Sequence, residues 1–405
     1  MSRRRVVITG IGVISALGRN ASEFRQALQE GRCGIGPIRQ LDVSSLRFQN
    51  GAEVSGYDPG QYFHNKEPDF LDRFAQFAVI AAREAVADAR IEWTDALRER
   101  SAIVTGSCVG GKTTEDDGYV NLYLERKPRV NPLTIPRAMG NAGASQISME
   151  TGICGPTYTI STACSSSNHA IGQAFWMVRD GQVELALAGG SEAPFAMGNL
   201  KAWEAMRVVS PDTCRPFSKN RRGMILGEGG AMLVLEPLEA ALARGATIYA
   251  EIVGFGMSSD AHHLTQPSVD GPARALRGAI CDAGIALEQI GYINAHGTGT
   301  AVNDPTEVRA IRLALGAHAE RVAISSTKSM HGHALGAAGA IEAAATVFAL
   351  RDGVIPPTAN FTELDPQCDL DVVANTARHA EVEYALSSSF AFGGLNAVVA
   401  FRKNR

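Results

Sequence analysis

Thr157 to Ile160 reads as a strand that gives way, within a few residues, to a helix beginning near Ser165, and Cys164 lies in the turn between them. Alternation of this kind recurs along the chain. Val6 to Thr9 and Ala102 to Thr105 read as further buried strands, and Asp69 to Arg90 as an amphipathic helix with Phe70, Phe74, Phe77, Ala81 and Ala85 at helical spacing. A second series begins near Ala246, with strand-like Tyr249 to Val253, a helix from about Pro272 to Ala283, and short strands ahead of two histidine motifs. Helices and strands that alternate this way bury their apolar faces as layered α/β structure. With 405 residues, 45% of them apolar, the chain can build a large core as two fused units of ordinary domain size.

The turn at Cys164 suggests a nucleophile. A thiol at a helix N-terminus faces unpaired N–H groups and the positive end of the macrodipole, which favour thiolate and lower its pKa. The same turn supplies a backbone donor for an oxyanion. A buried structural thiol is the alternative. Two motifs downstream favour the first reading: Asn294-Ala295-His296-Gly297-Thr298-Gly299-Thr300, and Ser325-Ser326-Thr327-Lys328-Ser329-Met330-His331-Gly332-His333. Each sets a histidine beside glycine just past a strand, where the ring can be fixed and backbone can approach a ligand. One cysteine and two such histidines from distant segments suggest convergence on one site.

Other chemistries find little support. Gly10-Ile11-Gly12 follows the first strand, but Ser15 stands where a dinucleotide-binding loop needs its third glycine. No phosphate loop ending in Lys-Ser or Lys-Thr and no GxSxG elbow is present. Seven cysteines without CxxC pairs argue against a disulfide framework or a metal site. A net charge of −4 gives no general attraction to nucleic acid or anionic membrane, and Arg3-Arg4-Arg5 is too short for a binding tail. Neither a leader nor an uncharged apolar run of about 18 residues occurs, so a cytoplasmic location is expected.

Ser161-Thr162-Ala163-Cys164, Asn294 to Thr300, Ser326 to Glu342 and Phe390-Ala391-Phe392-Gly393-Gly394-Leu395-Asn396 occur in the order and at the spacing of four motifs of one family. From Val6 to Phe401 the chain resembles the β-ketoacyl-acyl carrier protein synthases of the thiolase superfamily, nearest the type II elongating condensing enzymes. The resemblance implies a five-layered αβαβα fold of two similar halves, roughly 1 to 247 and 248 to 405, with no internal duplication visible in the sequence. It implies Cys164 as the acyl-accepting nucleophile, the backbone N–H groups of Cys164 and Phe392 as an oxyanion hole, and neutral His296 and His333 as donors to an enolate, their tautomers fixed through the other ring nitrogen. Lys328 and Glu342 match a buried ion pair near the second histidine. Thr298 and Thr300 match hydroxyls that contact a phosphopantetheine arm, with capping and turn formation as the alternative role. Phe392 with Gly393 and Gly394 matches a gate on the acyl pocket, whose wall would include Cys108, Val109 and Trp203.

Substrates would arrive on acyl carrier protein, with no further cofactor and no metal. Arg129 and Arg207 fall where the family has carrier-docking basic residues, and Lys66, Arg73 and Lys127 are further candidates for a local basic patch. A homodimer is implied, with the nucleophile strand near the interface, or a heterodimer with a chain-length-factor-like subunit. Several features depart from housekeeping enzymes. His331 stands where those usually carry a hydroxyl, and Lys201 to Ala205, Asp212 to Phe217, Ile355 to Asn360 and Asp365 to Asp369 look more like nodulation and specialised polyene ketosynthases. A dedicated pathway for an unusual or polyunsaturated acyl chain is therefore expected, with ordinary fatty-acid elongation as the alternative. A catalytically silent chain-length factor typically lacks the active cysteine, and a degradative thiolase would carry a second cysteine near the C-terminal glycine turn, where none is found.

Overall fold

Ten strands pair into one sheet in this computed structural model, which describes residues 3–64 and 67–404. In chain order they are β1 (Val6–Ser15), β2 (Ser101–Gly106), β3 (Thr157–Ile160), β4 (Leu185–Glu192) and β5 (Gly229–Pro237). The second five are β6 (Ala250–Ser259), β7 (Ile290–Asn294), β8 (Ala323–Ser325), β9 (Tyr384–Ala391) and β10 (Leu395–Lys403). Their spatial order is β8-β7-β9-β10-β6-β1-β5-β4-β2-β3. Counted within each set of five from the outer edge, that order is third, second, fourth, fifth, first in both. The polarities repeat as well: the second strand of each set runs parallel to the third and fourth, and the fifth runs antiparallel to the fourth and first. The first strands of the two sets join them, Val6, Val7 and Ile8 pairing antiparallel with Ile252, Glu251 and Ala250. A duplication that the side chains hide is thus plain in the path of the backbone.

Helices complete the five αβαβα layers. α1 (Arg73–Ala89) packs on β1 and β5 from outside, while α2 (Ser166–Arg179) lies inside against β2 and β4. After α3 (Met197–Met206), α4 (Asp270–Ala283) and α5 (Asn303–Leu315) form the other outer layer, with α4 on β6 and β10. α6 (Ala338–Asp352) is the second inner helix and touches strands of both sets as well as α2. Every residue from Ala338 to Leu350 is buried, which is what a helix apolar on all sides requires. The same two-sided cover explains why β1 runs on to Ser15, beyond the expected Thr9, with all ten residues buried. Phe70 does not belong to α1. It sits in a separate single turn, 54% exposed, because Asp72 caps the helix at Phe74 N and starts it at Arg73. Lys66 lies outside the described residues.

One close approach fixes the site. Gly106 ends β2 against the first turn of α2, where a Cβ would lie 2.4 Å from Ser167 N. The substitution Gly106→Ala is expected to cost about 1–3 kcal/mol of folding stability by forcing strand and helix apart. Urea denaturation measures this, and an unchanged midpoint would show that the helix can shift freely.

Candidate active site

Both sets of strands present their loops at the carboxyl ends of parallel strands, the usual place for a site in α/β structure. Beyond β3, Ala163 takes φ 50°, a left-handed conformation that residues other than glycine seldom adopt, and so places buried Cys164 just ahead of α2. The backbone N–H groups of Phe392 and of Cys164 itself are directed at its sulfur. Burial nevertheless pushes the thiol up to about 11, against the opposing pull of Lys328 and of the two amides. The lowered pKa expected from the helix N-terminus is therefore reversed, because loss of water outweighs those favourable charges. The resting nucleophile is a thiol whose thiolate, once formed, meets donors already in place.

His296 follows β7 and His333 follows the short turn after β8. One ring nitrogen of each and Cys164 Sγ lie within 4.8 Å of one another, and the two rings meet edge to face at 85° with centroids 5.3 Å apart. Chemically this is also a Cys-His-His donor set of the kind zinc accepts. Burial, then the charge of Lys328, holds both imidazoles well below 6.5, so both are neutral. His333 Nδ1 accepts from Leu335 N at 3.2 Å, which leaves its proton on Nε2. His296 Nδ1 is buried without a hydrogen bond, so the expected fixing of both tautomers holds for His333 and not for His296.

Lys328 and Glu342 form a fully buried ion pair, and Lys328 Nζ also donates to the backbone oxygen of His296 at 2.7 Å. Burial raises the Glu342 carboxyl while Lys328 pulls it back. His331 is neutral as well: its Nδ1–H donates to Gly332 O at 2.8 Å and its Nε2 accepts from Thr327 Oγ1 at 2.9 Å.

Three buried acids, which sequence reading missed, hold the loops. Glu307 accepts from His296 N and Gly297 N, each at 2.7 Å, and Asp304 accepts from Gly299 N at 3.1 Å and Phe217 N at 2.9 Å. Glu192 accepts from Ser107 Oγ at 3.0 Å, Cys108 N at 2.6 Å and Gly336 N at 3.0 Å. The signals were present: two acids three apart opening a helix after a glycine-rich loop, and a charge ending the apolar run of β4.

A cavity of about 360 Å³ opens onto these groups, with Cys164, His296, His333, Thr298, Trp203 and Phe392 in its lining. Thr300 lines it too, its hydroxyl 3.0 Å from that of Thr298 and accepting from Asn303 N at 3.2 Å in the turn ahead of α5. Of the expected pocket wall, Trp203 reaches this cavity. Cys108 and Val109 pack, as Trp203 does, against the apolar cluster of Phe195, Leu200 and Leu335, and their amides donate to Glu192. Arg207 is exposed at the cavity, and so is Arg222, a cation that sequence reading overlooked. Arg129 is exposed, and exposed Lys127 pairs with Glu125. Arg73 is not available for docking, since it pairs with buried Glu228 at 2.7 Å and lies over the rings of Tyr57 and Phe77.

Comparison with known proteins agrees with this geometry. The profile "Beta-ketoacyl synthase, N-terminal domain" matches residues 3–241 and "Beta-ketoacyl synthase, C-terminal domain" matches residues 249–362. The chain belongs to the β-ketoacyl synthase family. It is a condensing acyltransferase, and its fold is thiolase-like. Nodulation protein E of Rhizobium sp. (strain N33) is 48% identical over 402 residues, covering 99% of each chain. The 3-oxoacyl-[acyl-carrier-protein] synthase 2 of Synechocystis sp. is 41% identical over 411 residues, covering 100% of this chain and 99% of that one. Among solved structures, the ishigamide ketosynthase/chain length factor aligns with a TM-score of 0.95 at 39% identity, covering 100% of both chains.

Two measurements test the electrostatics. Lys328→Met strands the Glu342 carboxylate and is expected to cost about 3–5 kcal/mol in urea denaturation, much of it regained in Lys328→Met/Glu342→Leu. No recovery in the double variant would mean that the lysine acts through its contact with His296. In ¹⁵N-histidine spectra, the signals of His296 and His333 should stay unshifted between about pH 5 and about pH 8, because neutral rings with depressed pKa values take up no proton there. Titration near the ordinary imidazole value would overturn the neutral assignment.

Proposed function

We propose that this β-ketoacyl synthase moves an acyl chain from acyl carrier protein to Cys164 and condenses it with malonyl carrier protein, giving 3-oxoacyl carrier protein and carbon dioxide. One observation carries the reading: a thiol faced by two backbone donors stands beside two neutral imidazoles at the end of a cavity. Cys164 Sγ attacks the carrier thioester, the amides of Cys164 and Phe392 hold the oxyanion, and its collapse breaks the bond to the carrier sulfur, which leaves as a thiol. Malonyl thioester then loses carbon dioxide. The electron pair left behind is held as an enolate whose oxygen accepts from His333 Nε2–H and from His296. The α-carbon attacks the acyl carbonyl, a carbon–carbon bond forms, and the bond to Cys164 Sγ breaks. Neutral donors suit this task because they stabilise the enolate without quenching it.

The lysine orders the loops and the field of the site and does not itself transfer protons. Thr298 and Thr300 receive the phosphopantetheine arm, and no cofactor beyond that arm enters the reaction. Phe392, freed by Gly393 and Gly394, gates the acyl cavity. Arg207 and Arg129, with Arg222 added, form the docking patch for an acidic carrier. Residues 1–247 and 248–405 serve as the two halves. Edge strand β3, with Tyr158 exposed, is the dimer contact, and a homodimer is the first reading. A partner of the chain-length-factor kind is the second, supported by the ketosynthase/chain length factor structure that this chain resembles. The nodulation relative, at higher identity than the synthase 2 relative, supports a specialised acyl pathway over housekeeping elongation. A cytoplasmic location fits these substrates. Among the described residues, no helix is long and apolar enough to cross a membrane.

Intact-mass spectrometry tests the reaction. Wild type incubated with acyl carrier protein should gain the acyl mass and then, with malonyl carrier protein, yield a carrier-bound product two carbons longer, while Cys164→Ala gains nothing. A folded wild type that no saturated or polyunsaturated primer acylates would sink the autonomous-synthase reading and favour a silent subunit.

A further inference from the structure

We infer that Trp203 is the fixed counter-face of the Phe392 gate and a specificity-determining residue that favours flat, conjugated acyl chains at Cys164. The inference rests on reading Phe392 as the gate. The indole of Trp203, on α3, stacks on the Phe392 ring with centroids 6.2 Å apart and planes 24° from parallel. Both rings are half-buried, and both line the cavity that ends at Cys164.

The two faces of the stack are unequal. Trp203 packs against the apolar cluster of Phe195, Leu200, Met224 and Leu335. Phe392 is followed by a glycine turn: Gly393 takes φ 82° with open space where a side chain would be, while Gly394 takes φ 72° and packs closely against Asp260. When the stack opens, the ring that moves is Phe392. The same residue directs its N–H at the Cys164 sulfur, so its position is felt at the reacting atom.

A chain joined to Cys164 occupies the space these rings close. A saturated chain breaks the ring contact and gives only dispersion in return. A conjugated chain is flat and carries its own π-system, so it can lie against the indole and replace the lost stack. Aromatic contact of this kind amounts to roughly twofold to tenfold in an equilibrium, and that is the expected preference for a conjugated over a saturated primer of equal length.

The test measures rates of Cys164 acylation from acyl carrier proteins bearing saturated and conjugated chains of one length, in wild type, Trp203→Phe, Trp203→Ala and Phe392→Ala. Tryptophan emission is followed alongside, against the background of Trp93 and Trp176. The conjugated-to-saturated ratio should be above one in wild type, persist in Trp203→Phe and collapse towards one in Trp203→Ala. Emission should change on acylation of wild type and not of Trp203→Phe, a signature that a merely structural tryptophan would not give. A ratio unaltered in Trp203→Ala while Phe392→Ala alters acylation overturns this inference and leaves the gate standing. Acylation that is indifferent to Phe392→Ala removes the gate, and this inference with it. Should Trp203→Ala fail to fold, the wild-type ratio and the emission difference from Trp203→Phe decide alone.

Discussion

A single ammonium group stands where the catalytic loops meet. Lys328 is sealed from water, bonded to Glu342 and to the backbone of His296, and its charge acts on Cys164, His296 and His333 together. For the imidazoles it opposes protonation, which burial already disfavours. For the thiol it offsets part of the cost of ionising in a dry place. The same charge therefore keeps two bases neutral and eases the formation of one anion, as a condensation through a thioester and an enolate requires. Glu342 makes that charge tolerable in the interior, and its partner oxygen Oε2 is left without a hydrogen bond.

Around this centre the backbone is held mainly by carboxylates. Glu307 grips the peptide on either side of His296, Asp304 grips Gly299, and Glu192 ties the loop after β2 to the turn after His333. These acids accept from main-chain N–H groups, so they set where the loops lie without presenting side chains to a substrate. His331 works the same way through Gly332 O, just ahead of His333.

Much of this was legible in the chain. A thiol in a strand-to-helix turn and two histidines beside glycines were enough to predict convergence, because strand, turn and helix are each local patterns. The ends of α4 followed from the same periodicity to within two residues, Asp270–Ala283 against Pro272 to Ala283. What failed was environmental. The direction of the Cys164 shift depends on exclusion of water by residues distant in sequence, which no local motif reports. Arg73 looked like surface charge because its partner Glu228 comes from another part of the fold. The repeated strand order left no trace in the residues, since a buried strand asks only for apolar side chains of suitable size.

That repeat carries a consequence for how the site is shared. The third strand of each set leads into the inner helices, β3 to Cys164 and α2, β8 to Lys328, His333 and α6; the fourth leads to Glu192 in one set and Phe392 in the other. Equivalent positions have thus acquired unrelated jobs. The repeat shows only in strand order and polarity, and the site crosses it: the Phe392 amide and the Lys328 charge of the second set both act on Cys164 of the first. Neither half is complete alone, so a change in a loop of one is felt at a reacting atom carried by the other.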